Sequence, residues 1–295
     1  MHTIEIPEAK LKRYVPKYLG ECDSGQYIEM CVLLYRYTAG QLSYFDLRVQ
    51  ALYTLLDMVP SNRQLLIVDE EAKWANMYRV SLLVDGFFNE LEGQKQIRLE
   101  HIHNPLPKFR PLWRTYHALA DGFINATFGE YLDGLRLFYE FGKSPNENLL
   151  YELTGIFYRK AAPWRMLKPQ KGDVREAYNP HTVEARARTF RYAPVGFVFG
   201  FYLTFAAFQK YITSAIVPWG GQELDLSILF ESSDDGHREA VPGLGMDSIA
   251  FALAESGQLG DLGKVREANL WQVFLLLYNL KKNELDYKFN SKAEK

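Results

Sequence analysis

The sequence predicts a mainly α fold: amphipathic helices packed together in one integrated fold, with a few minor β-strands. Three observations carry this. Apolar residues recur at three- and four-residue spacing through most of the 295-residue chain, the helical period rather than the alternation of strands. Helix-start and helix-stop residues bracket several of those runs. Alternating segments are short and few. Hydrophobic residues make up 47% and charged residues 24% of the chain, enough to build a core and too apolar for a disordered chain.

Along the chain, "HTIEIP" alternates with a period of two up to Pro7 and reads as a short strand or extended arm. Residues 25–38 place Tyr27, Met30, Cys31, Leu34 and Tyr35 on one helical face. Residues 43–58 do the same with Phe45, Val49, Leu52 and Leu56, and Gly40 separates the two as the turn of a helical hairpin. Ser43 with Asp46 forms a capping arrangement for the second helix. A third helical pattern runs over 70–91 through Trp74, Met77, Tyr78, Leu82 and Phe87, and 95–105 alternates imperfectly, as a strand would. Pro105, Pro107 and Pro111 end it.

The most patterned stretch, 125–160, carries acids, bases and hydroxyls that could pass for an active site. Thr127 followed by Glu130 is the signature of a capping box, ahead of an amphipathic run with Leu132, Leu135 and Tyr139. Ser144, Pro145 and Glu147 repeat the device ahead of Leu149, Leu150, Leu153, Ile156 and Phe157. Arg159 and Lys160 would then complement the negative end of that helix dipole. The stretch therefore reads as two consecutive capped helices.

Residues 161–192 contain three prolines and a glycine and read as a loop or linker with a short helix at 181–191. The organisation is thus an N-terminal helical region at 1–160 with short strands, a basic Pro-containing loop at 161–192, and a C-terminal helical region at 193–295, compatible with one integrated domain. Residues 193–212 are nearly free of charge, but Gln209 and Lys210 cut the run short of the ~20 apolar residues of a spanning helix, so it reads as a core helix and a membrane role is not favoured. Residues 246–257 end at a glycine suited to a left-handed cap. Residues 263–288 carry Val265, Leu270, Val273, Phe274, Leu277 and Leu280 on a broad apolar face, and the last seven residues are expected to fray.

For function, composition excludes more than it names. The formal charge of −2 gives no whole-chain case for nucleic acid or anionic membrane. Two cysteines, Cys22 and Cys31, are too few for a disulfide framework or a four-cysteine zinc site, and with no secretory signal they point to a reducing, cytoplasmic setting. No phosphate loop, nucleophile elbow or HExxH helix is present, so no catalytic residue, cofactor or metal is expected. His101 and His103 would share a strand face and could bind a metal together with His117 or Asp121, but an exposed strand face explains them equally well. Asp85, Glu90, Glu92, Asp133 and Glu140 are carboxylates that nothing in the sequence pairs. Between Arg159 and Arg191 nine basic residues stand against three acids, Asp173, Glu176 and Glu184, with Trp164, Tyr178, Phe190 and Tyr192 interleaved. Arg159, Lys160, Arg165, Lys168, Lys171, Arg186, Arg188 and Arg191 are the candidate interaction surface, for protein or, as the alternative, for nucleic acid. An acidic stretch at 223–239 could attract it.

Two blocks, Thr127 to Tyr131 ("TFGEY") with Phe157, Tyr158 and Arg159, and the later Leu253, Ala254, Glu255 with Leu259 and Gly260, resemble a poorly characterised family of tailed phages and prophages. The chain departs from that pattern at Lys160, where proline is usual, and at Leu259, where phenylalanine is usual. The resemblance covers about a third of the chain and implies a tail- or capsid-associated assembly role, without enzymatic activity, with other virion proteins as partners. It carries no functional residues over. A nucleic-acid-binding accessory protein and an enzyme with an unrecognised helical active site are the alternatives.

Overall fold

A computed structural model describes residues 1–6, 11–58, 70–111, 113–163, 173–214, 216–230 and 246–293. The protein is mainly α: ten α-helices and nine short strands, the strands in small antiparallel sheets, occur among the described residues. The chain forms two compact units, one of residues 1–106 and 192–204, the other of residues 107–191 and 205–295.

The first unit opens with an antiparallel pair, β1 (His2–Ile6) and β2 (Leu11–Val15). Next comes the expected helical hairpin, α1 (Ser24–Thr38) and α2 (Tyr44–Leu55). The Ser43 hydroxyl accepts from the Asp46 N–H, as its cap position predicts, whereas Phe45 is half exposed and Leu47, Ala51, Leu52 and Leu55 form the buried face. The α1 start is capped by an Asp23/Gln26 box. The third helical pattern is shorter than its periodicity suggests: α3 (Glu70–Ser81) gives way to a 3-10 segment over 82–87 and then to a hairpin of β3 (Phe88–Leu91) and β4 (Gln94–Ile97). Gly86 sits where an added Cβ would lie 2.6 Å from the Lys17 carbonyl oxygen, and Glu92 and Gly93 both adopt positive φ, the two-residue turn that suits hairpin twist. The strand expected over 95–105 is therefore confined to its first residues.

In the second unit, β5 (Lys108–Phe109), β6 (Tyr116–His117) and β7 (Arg159–Lys160) make a three-stranded sheet. α4 (Phe128–Lys143) begins with the predicted capping box: the Thr127 hydroxyl accepts from the Glu130 N–H at 3.2 Å and Glu130 Oε2 accepts from the Thr127 N–H at 2.7 Å. Tyr139, expected on its apolar face, is 56% exposed. α5 (Glu147–Phe157) is capped by Asn146, not by Ser144. Ser144 closes α4 instead, its N–H donating to the Glu140 carbonyl, and the Asn146 side chain takes the cap by accepting from the Asn148 N–H at 2.9 Å. α6 (Val183–Phe190) is the short helix anticipated within 181–191 and packs on α5.

α7 (Val195–Ser214) is long and apolar enough to cross a membrane, and 67% of its most apolar window is buried within the protein, as in a core helix. A hairpin of β8 (Ile216–Trp219) and β9 (Gln222–Asp225) turns on Gly220 and Gly221, both at positive φ. α8 (Met246–Ser256) ends at Gly257, φ 70°, as predicted.

The long terminal pattern is broken into α9 (Leu262–Glu267) and α10 (Leu270–Ala293). The break has a non-local cause. The Phe128 N–H donates to the Ala268 carbonyl, and the Leu270 N–H donates to the Ala126 carbonyl, both at 2.9 Å. Asn269 then caps α10 through the Trp271 N–H. The last residues, expected to fray, are helical to Ala293. The core of this unit is aromatic: Phe123 stacks on Phe208 with centroids 4.3 Å apart, and Phe157, Tyr131 and Phe205 close around them. Gly134 lets the Phe157 ring reach α4, since a Cβ there would lie 2.6 Å from the ring.

Candidate functional site

The second unit buries a charged cluster whose members come from three separated parts of the sequence. Glu130, in the first turn of α4, is fully buried. One carboxylate oxygen serves the capping box. The other, Oε1, pairs directly with Arg159 Nη1 and lies 3.5 Å from Arg175 Nη1. Arg175 is held on both edges: its Nε and Nη2 donate to the two oxygens of Asp173 at 2.9 Å each, Nη1 donates to the Phe157 carbonyl at 2.8 Å, and Nη2 donates to the Asn125 carbonyl at 3.2 Å.

Backbone pairing delivers these side chains. α5 stops at Phe157 and Tyr158 turns extended, so Arg159 and Lys160 alternate inward and outward as strand residues. On the other side, the Ala162 N–H donates to the Val174 carbonyl and the Glu176 N–H to the Lys160 carbonyl, which sets Arg175 alongside Arg159. The role expected for Arg159, a cation at the end of the α5 dipole, is thereby replaced: it is a strand residue, 1% exposed, paired with the carboxylate of a helix start.

Burial pulls the Arg159 guanidinium down to about 10, against the opposing pull of Glu130, so it is still a cation at neutral pH. Desolvation also acts on Arg175, but Glu130 and Asp173 outweigh it and its pKa is raised. Asp173 is partly desolvated, yet the hydrogen bond and charge of Arg175 hold its carboxyl below the ordinary range.

A cavity of about 550 Å³ opens in front of Arg159. Its wall includes Asn125, Thr127, Asp173, Tyr178, Arg266 and Asn269. Arg159 lies over the Tyr178 ring, 5.6 Å from its centroid. The Tyr178 hydroxyl donates to Asp133 Oδ2 at 2.5 Å, and Arg266 Nη2 donates to the same oxygen at 2.7 Å. Burial and the Asp133 carboxylate push the Tyr178 phenol well above its usual range. Asp133, which nothing in the sequence pairs, is thus a bridge between α4, Tyr178 and α9.

The eight candidate surface residues divide. Lys160, Arg188 and Arg191 are exposed. Arg159 and Arg186 are turned inward: Arg186 donates from Nε to the Gly155 carbonyl at 2.7 Å and is 8% exposed. Arg165, Lys168 and Lys171 lie outside the described residues, as does most of the acidic stretch expected to oppose them. Of the other carboxylates singled out, Asp85 accepts from the Tyr44 hydroxyl and Glu90 pairs with Lys95.

The histidines do not form the strand pair expected of them. His101 and His103 lie outside any strand; His101 is buried, with Nε2 3.3 Å from the Tyr27 hydroxyl. Among the described residues, no three His, Cys, Asp or Glu side chains are grouped to hold a metal.

No protein-family model, curated protein or solved structure matches the chain. The site therefore rests on its own geometry. Arg175, Tyr178 and Arg266 are its members that sequence reasoning missed as partners. Their positions in a basic tract and on an amphipathic helix carry no local mark, because the bonds that recruit them span up to 133 residues.

Proposed function

We propose that this protein is a non-enzymatic assembly factor of the phage or prophage kind its motifs resemble, tail- or capsid-associated, acting through contacts with other virion proteins in the host cytoplasm. The observation that carries the protein-contact part is the far end of α10. Leu285 and Phe289, one helical turn apart on the same face, are 44% and 74% exposed, and Tyr287, on the other side of the helix, is 76% exposed. Apolar and aromatic side chains exposed together at one helix end are more typical of a contact surface than of a solvated one. Thr127 and Glu130 bond each other and Glu130 pairs with Arg159, in keeping with a scaffold role for the conspicuous stretch at 125–160.

Co-purification with tail or capsid particles tests the reading. The native chain is expected to sediment with them, and a folded Leu285→Ser/Phe289→Ser variant to stay in the supernatant. If the protein accompanies no virion component and its gene lies outside any phage-like cluster, the proposal fails. The nucleic-acid alternative retains Lys160, Arg188 and Arg191 as exposed cations but loses Arg159 and Arg186 to the interior. A steep salt dependence of DNA or RNA binding, abolished by neutralising Arg188 and Arg191, would favour it instead.

A further inference from the structure

We propose that the cavity in front of Arg159 binds a small molecule through a carboxylate or phosphate group. The argument is one of unspent hydrogen-bonding capacity. Arg159 Nε is buried and has no hydrogen-bond partner, although a guanidinium nitrogen can only donate. A buried donor left unmade is costly, so a group that supplies an acceptor at this point is favoured.

The neighbouring capacity has the same sign. Asn125 uses its side-chain oxygen to accept from the Ala120 N–H at 2.9 Å, which leaves its amide NH2 without a partner on the cavity wall. Arg266 commits Nη2 to Asp133, whereas Nη1 has only a 3.9 Å contact with Asp247, beyond hydrogen-bond length. Of the acceptors beside them, those of Asp173 and Asp133 are engaged, and the exposed Glu267 carboxylate at the wall is not. Both oxygens of Asp173 are taken by Arg175, and the single Asp133 oxygen facing Arg266 also receives the Tyr178 hydroxyl. The spare donors grouped around Arg159 outnumber that one free acceptor and favour an acceptor-only group, which carboxylates and phosphates are. The volume falls within the range of small-molecule sites and exceeds that of a lone ion, and the Tyr178 ring and Ala126 add apolar wall for the remainder of such a molecule.

Selection here comes from donor geometry and not from net charge, since Glu130 and Asp173 balance Arg159 and Arg175, and Asp133 and Glu267 outweigh Arg266. The inference is independent of the assembly reading, which concerns α10 and its partners.

Thermal unfolding and calorimetric titration of the full chain test it, with inorganic phosphate in one arm and citrate in the other, at constant ionic strength set with chloride. Saturable stabilisation by several degrees is expected in at least one arm at up to about 10 mM, and the responding arm identifies the oxyanion class. Arg266→Gln and Asn125→Asp are expected to weaken binding about tenfold or more. The second variant keeps an oxygen for the Ala120 N–H and turns the free donor into an anion. The exposed Arg188→Gln is expected to bind as the native chain does. Circular dichroism checks that each variant is folded, and one folded cavity variant suffices. The proposal is overturned if neither probe gives saturable binding, if folded cavity variants bind as tightly as the native chain, or if Arg188→Gln loses binding equally.

Discussion

In the first unit the buried polar atoms around Tyr27 are neutral. Its hydroxyl donates to the Gly200 carbonyl at 2.9 Å, with the Thr204 hydroxyl at 3.1 Å and His101 Nε2 at 3.3 Å. In the second unit the cluster of Glu130, Arg159, Asp173 and Arg175 carries four formal charges with little access to water. The neutral network costs less to bury, and cutting one of its hydrogen bonds costs about 1–3 kcal/mol. The charged cluster pays a desolvation cost for every member and is tolerable only with all of them present. The two therefore differ in how they fail: one through protonation of a histidine, the other through loss of any partner.

The largest expected effect is on the charged side. Glu130→Ala leaves Arg159 and Arg175 buried with Asp173 as their only carboxylate and also removes half of the capping box. A loss of about 3–5 kcal/mol is expected, measured by urea unfolding. Glu130→Gln can still accept from the Thr127 N–H, so the difference between the two variants separates charge from cap. A loss below about 1 kcal/mol for Glu130→Ala would erase the contrast between the two networks.

The neutral side is expected to break with acid. Burial, aided by nearby His103, lowers the His101 pKa from 6.5 to about 4. Below about pH 6.5 the unfolded chain binds a proton that the folded chain refuses. Stability from this group is complete above that pH and is lost as pH falls toward 4. The shift corresponds to at most about 3 kcal/mol. Replacing His101 with Gln should flatten this part of the stability profile between pH 6.5 and 4; an unchanged slope would show that His101 is not the group responsible.

The smallest effect concerns the cap on which the charged cluster is built. Thr127→Ala is expected to cost about 1 kcal/mol and Ser144→Ala less than about 0.5 kcal/mol, although both residues precede a glutamate by three positions. Equal losses in thermal or urea unfolding would mean that Ser144 also caps a helix.

Much of the fold was readable from neighbours in the chain. The period of α1 and α2, the cap at Ser43, the Thr127/Glu130 box and the glycine stop at 257 depend on residues within a turn or two of one another, where steric and hydrogen-bond rules act without help from the rest of the protein. The pair Gly220-Gly221 is a further local signal, for the β8–β9 hairpin, that periodicity alone passes over. The site was readable only in part. Glu130 could be recognised as a cap but not as an ion-pair partner, and Arg159 only as a cation following a helix.

What the sequence determined by itself was the mainly α class and the places where most helices begin. What only the tertiary structure decided was where competing long-range bonds overrode those local preferences. Pairing of residues 126–128 with 268–270 broke a continuous apolar period into α9 and α10, and pairing of 159–162 with 116–117 and 174–176 turned a helix-end arginine into a buried strand residue. The physical reason is the same in both cases. A buried backbone or charged group must find a partner, and the partner it finds can lie more than a hundred residues away.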